Sequence, residues 1–179
     1  MKKDIVEGEC KKPTSKYGCL PYERHFVPMH SYAVNLAKRL GANLEVVEIA
    51  AWLHDIGSII YRREDHHITG ADIAEEQLKK LRYPKNKIEL VKKCILNHRG
   101  SVNNHRGSLE EQIIAEADAM NAFDRIEGLF EAAFVWEKLD RDRAKKSVKQ
   151  KLINKYNQLS IEGKGLVRDK YNAAMLLLG

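Results

Sequence analysis

Seven histidines are spread along the chain, at positions 25, 30, 54, 66, 67, 98 and 105, and one of them is followed directly by an acid, His54-Asp55. A neutral imidazole beside a carboxylate is a suitable ligand pair for divalent iron, manganese or zinc. A lone histidine on a helix is more often packed or surface-exposed than a ligand. His54-Asp55 stands apart because it closes an apolar run, IAAWLHDIG. A carboxylate after such a run is costly to bury alone, so a metal or a positive group must neutralise it unless the helix end is open to water. Most of the other histidines fall at or beside predicted helix ends, where side chains from distant segments can converge.

Competing chemistries find no motif. The chain has no G-x-x-x-x-G-K-[ST] phosphate loop, no G-x-S-x-G elbow and no H-E-x-x-H. Cys10, Cys19 and Cys94 form no C-x-x-C pair, which argues against a thiolate zinc site or a disulfide framework.

Helices must position these residues, because apolar residues recur with helical spacing and no alternating strand pattern occurs. A first helix is predicted over 23–40, stopped by Gly41, with Pro28 tolerable only in its first turn or at a kink. A second begins at the cap candidate Asn43 and ends near Asp55, before Gly57. Others are predicted over 68–81 and 85–97. Ser108 and Glu111 read as a capping box for a helix reaching Phe123. Segments 129–139, 143–159 and 165–178 complete the list, and RGSVNNHRG at 99–107 is a loop by composition.

These elements imply an all-α fold: one compact helical bundle over 23–123, an N-terminal extension over 1–22, and extra C-terminal helices over 124–179 packed on the same domain. No run approaches the length of a membrane span, and the start lacks an apolar signal region, so a cytoplasmic location without a membrane partner is expected. The net charge of +6 favours anionic partners, although much of it falls in 138–155, where a solvated helical face explains it as well.

The string EIAAWLHDIGS closely resembles the signature of the HD phosphohydrolase superfamily, in which ligands follow the order His, His-Asp, Asp. The resemblance covers about 23–123. It implies His54 and Asp55 as central ligands, with Asp118 in AEADAMNAF as the closing aspartate. For the first ligand, His30 begins HSYAV, but Tyr32-Ala33, Leu36-Ala37 and Leu40-Gly41 match the family's first helix better if His25 is the ligand. His30 is then a neighbouring or surface residue. In two-metal relatives a histidine stands four residues before a comparable glycine, as His66 does before Gly70, and His98 resembles the next histidine. His66 and His98 thus hold a second ion or bind substrate phosphate, with His67 as the alternate to His66.

The resemblance implies a single compact HD-domain bundle and a phosphohydrolase, a monoesterase or diesterase. One or two divalent transition metals (Mn, Fe, Co, Ni or Zn) would activate water, with Asp55 as the catalytic carboxylate and as a bridge if two ions bind. Arg99, directly after His98, is the best candidate for substrate phosphate, with Arg62 and Arg63 behind it. A small phosphorylated substrate, a nucleotide foremost, is the expected partner; nucleic acid is not favoured, and homo-oligomerisation through the apolar AAMLLLG is open. The alternative is a catalytically silent HD module that binds nucleotide or RNA in a regulatory role.

Overall fold

The structure, a computed structural model, describes residues 2–99 and 105–179. It is all-helical, with no strand among the described residues. In order come α1 (Lys2–Lys11), a π-turn (Tyr22–Phe26), α2 (Val27–Leu40), α3 (Leu44–Leu53), α4 (Ile56–Ile60), α5 (His66–Lys80), α6 (Lys85–Asn97) and α7 (Leu109–Asn121). After these come α8 (Ile126–Glu131), a second π-turn (Ala132–Trp136), α9 (Arg141–Asn157) and α10 (Ile161–Leu178). The chain divides into two compact units, 1–117 and 118–179, with the boundary inside α7.

In the first unit α3 is the hub. Asn43 caps it through Val46 N–H at 3.2 Å, and Val46, Val47, Ile49, Ala50, Ala51, Trp52 and Leu53 are all buried. A helix apolar on so many sides has to be surrounded, and α3 packs against α1, α2, α5 and α6. Helices α5 and α6 lie against each other, and they bury Ala71, Ala74 and Leu78 on one and Ile88, Val91 and Ile95 on the other.

In the second unit, Asp140 and Ser160 cap α9 and α10 by accepting from Arg143 N–H and Gly163 N–H. Tyr156 and Tyr171 stack at 3.9 Å, with Phe123 set edge-on to both. Ala144, Val148 and Leu152 line the buried side of α9.

Several expected boundaries need correction. The extension over 1–22 contains α1, whose Val6 and Cys10 are buried; its many charged residues hide a narrow apolar stripe. The helix expected over 23–40 is a π-turn followed by α2. Helix α5 starts at His66, two residues earlier than expected, because Asp65 takes a left-handed conformation (φ 47°) that turns the chain into it. The short α4, unforeseen, fills part of the interval between the helix expected to end near Asp55 and the one expected to start at 68. Helices α9 and α10 start earlier than read because the caps Asp140 and Ser160 were missed as start signals.

Candidate metal centre

Each imidazole near Asp55 is placed by a helix end. His25 sits in the π-turn, where Val27 N–H reaches back to Tyr22 O. Pro28 follows immediately and has no N–H to give the preceding turn. The wider winding before it satisfies the chain by a longer bond and aims His25 at α3. His54 is the C-cap of α3, and Asp55 breaks the helical path (φ −112°, ψ 11°) before α4 begins. His66 opens α5 and His98 closes α6.

Three of the four rings are locked the same way. His54 Nδ1 lies 2.9 Å from Ala51 O, His66 Nδ1 2.6 Å from Arg63 O, and His98 Nδ1 2.6 Å from Ile95 O. Each acceptor is the carbonyl three residues earlier. A carbonyl can only accept, so Nδ1 carries the proton and Nε2 presents a lone pair in the neutral ring.

Those Nε2 atoms converge on Asp55. Oδ2 is 3.3 Å from His25 Nε2 and 3.8 Å from His54 Nε2, and the two Nε2 atoms are 2.9 Å apart. Oδ1 is 3.1 Å from His66 Nε2 and 3.3 Å from His98 Nε2, themselves 3.3 Å apart. The carboxylate thus divides its two oxygens between two histidine pairs. His54, His66 and His98 are buried, whereas the side chains of His25 and Asp55 are about a quarter exposed and form the open side.

Burial alone would push the Asp55 carboxyl up. The adjacent His54, together with close contacts from His25, His66 and His98, outweighs it and holds the group well below the usual carboxylate range.

The donor set fits a divalent cation. Asp55 Oδ1 is buried without an aligned hydrogen bond, despite the two nitrogens close by. His66 and His98 turn lone pairs toward each other, which is repulsive unless a proton or a cation lies between them. Donors that bind one ion at about 2.0–2.2 Å stand about 3.0–3.5 Å apart on neighbouring vertices, close to the separations seen here. His25, His54 and Asp55 form one group able to hold an ion, and Asp55, His66 and His98 a second.

The structure brings together five of the residues singled out from sequence: His25, His54, Asp55, His66 and His98. His30 instead stacks on Trp52 at 4.6 Å. His66 faces Asp55; His67 stands beside it at 5.7 Å between ring centroids, its Nδ1 buried without a hydrogen bond. Asp118 is half-buried on α7, at the start of the second unit. Arg62 and Arg63 are exposed and Arg99 is half-buried; part of the expected 99–107 loop, residues 100–104, lies outside the described residues. Sequence reading missed the locking carbonyls and also Arg106, which holds the end of α6. The recurrent spacing of three residues before a helix-end histidine was the available signal for the former.

The HD domain family matches residues 22–127. The chain belongs to the HD domain family. An uncharacterized protein of Clostridium beijerinckii is 39% identical over 80 residues, covering 42% of this chain and 51% of the relative. The chain thus spans about half the length of that relative. Among solved structures, Bacillus subtilis YpgQ, determined in complex with ADP, superposes with a TM-score of 0.69 at 19% identity, over 98% of this chain and 92% of its own. A protein described as a predicted HD superfamily hydrolase from an uncultured Thermotogales bacterium gives 0.55 at 22% identity, over 82% and 83%. At these identities the likeness is one of fold. No helix among the described residues is long and apolar enough to cross a membrane.

Proposed function

We propose that this HD-domain protein is a metal-dependent phosphohydrolase acting on a nucleotide or another small phosphate ester. One observation carries the reading: a single carboxylate, Asp55, splits its oxygens between two pairs of histidines whose Nε2 atoms converge on it. His25, His54 and Asp55 Oδ2 would hold one divalent ion. His66, His98 and Asp55 Oδ1 would hold the second, so that Asp55 bridges. Bound divalent metal supplies Lewis acidity, lowering the pKa of water and absorbing charge on a phosphoryl group.

The chain's own residues do the rest. The carbonyls of Ala51, Arg63 and Ile95 fix three rings so that no reorientation is needed when ligand arrives. The partly exposed edge formed by His25 and Asp55 leaves a side from which substrate can approach. Arg99, next to His98 and half-buried, is positioned in sequence to meet phosphate oxygens, with Arg62 and Arg63 as outer cations. A nucleotide is favoured among phosphate esters because YpgQ, of the same fold, was solved with ADP.

The test is metal analysis of the purified protein followed by hydrolysis of a nucleotide panel. One or two equivalents of Mn, Fe, Co, Ni or Zn are expected, lost together with phosphate release in Asp55→Ala. A protein that neither retains nor takes up such a metal, and stays inactive after reconstitution, overturns the reading.

A further inference from the structure

The carbonyls on either side of His98 are held by one side chain. Arg106 donates from Nε to Asn97 O at 3.0 Å and from a terminal guanidinium nitrogen to Arg99 O at 3.3 Å. The Asn97 carbonyl belongs to the peptide group that leads into His98, and the Arg99 carbonyl to the residue that follows His98. The last carbonyls of a helix have no partner within it. Here the ring of His98 takes Ile95 O itself, and Arg106 takes the next two acceptors named. Asn97 is pinned again through its side chain, whose amide donates to the buried carboxylate of Glu111 at 2.6 Å.

We infer that Arg106 is a positioning residue for the His66–His98 half of the centre: it holds the end of α6 so that His98 Nε2 stays within reach of both Asp55 Oδ1 and His66 Nε2. The guanidinium is suited to the task. Its nitrogens form a rigid fork that can meet two acceptors at once, and its charge favours a helix C-terminus. A lysine ammonium also has several donors, but they radiate from a single atom on a flexible stem and lack the spaced planar fork. Because ligand geometry tolerates little displacement, loosening this turn weakens the ion held by His98 and leaves the His25–His54 side untouched.

The inference rests on the two-ion reading above, and the experiment separates the two. Metal-free full-length wild type, Arg106→Ala and Arg106→Lys are titrated calorimetrically with Mn²⁺, with thermal melts run alongside. Wild type is expected to take up two equivalents. In Arg106→Ala the first keeps its affinity and the second weakens about 10- to 100-fold, the usual effect of removing an outer support, with Arg106→Lys intermediate. If the alanine variant does not fold, Arg106→Gln, which keeps one donor group, replaces it. Two unchanged equivalents in the variants overturn the role of Arg106 while leaving the centre intact. Equal weakening of both shows a merely structural role and also overturns it. A single equivalent in wild type sinks the two-ion reading, and this inference with it.

Discussion

Gly57 and His66 meet backbone to backbone: a Cβ on Gly57 would collide with the His66 carbonyl oxygen and Thr69 Oγ1 and would stand 2.8 Å from Gly70 N. The glycine after the His-Asp pair therefore lets the first turn of α5 lie directly on α4, and that contact delivers His66 to Asp55. Gly57→Ala should cost about 1–3 kcal/mol of stability, as overpacking does, and should loosen the His66 side of the centre. Gly70→Ala meets only atoms at 3.4–3.5 Å and should stay within about 1 kcal/mol of wild type, since ordinary contact adds little strain and alanine favours the helix. Urea unfolding of both variants checks the ranking. Equal costs would contradict it.

This contact also shows where sequence reading ends. The HDIG string and the spacing from His66 to Gly70 pointed to residues that the structure brings together. Their physical reason, the close approach of two helices, needs coordinates. The helical fold was legible because α2 and α6 carry strong apolar periodicity and α3 is apolar almost throughout. The π-turn at Tyr22–Phe26 was not, since nothing but Pro28 marks a wider winding. Helix α1 was hidden because its charged residues outnumber Val6 and Cys10, the ones it buries. Arg106 was illegible for a different reason: an arginine in a polar loop has no pattern until its carbonyl partners are placed.

His25 and His30 lie five residues apart and have separate surroundings. His25 Nε2 is 2.9 Å from His54 Nε2, while His30 lies on Trp52, where burial pushes its pKa down. His25→Ala should lower metal content and hydrolysis together. His30→Ala should cost about 0.5–1.5 kcal/mol for the lost ring pair and leave metal content as it was. Elemental analysis beside thermal melts distinguishes them; metal loss in His30→Ala alone would reverse the assignment.

Far from the centre, Glu75 on α5 bonds Lys79 and also reaches Lys92 on α6. These two lysines lower its pKa from 4.5 to about 2. A carboxyl depressed on folding contributes stability that is complete above its ordinary value and disappears as pH falls toward the folded one. Wild type should therefore lose α5–α6 stability between roughly pH 5 and 2. Glu75→Gln should show a shallower acid limb, and the effect should shrink in high salt because Lys79 is exposed and Glu75 and Lys92 are only partly buried. Urea midpoints against pH, at low and high salt, measure this. A slope unchanged by the substitution would remove the pair from the acid response.

The three cysteines should react at separate rates. Cys19 is exposed, its thiol directed at Cys10 O at 3.5 Å. Cys10 is buried, and burial pushes its thiol up to about 11. Cys94 is buried on α6, four residues before His98; burial first and the Glu111 carboxylate second push its thiol further up. Since the thiolate is the reacting species, a disulfide reagent at mildly alkaline pH should consume one thiol quickly in the folded protein and all three in denaturant. Labelling Cys19 should leave metal content unaltered, because Cys19 lies outside both histidine groups. Peptide mapping of the fast product identifies the site. Rapid labelling of Cys94 in the folded protein would mean that α6 opens readily, and a helix that opens there cannot hold His98 against Asp55.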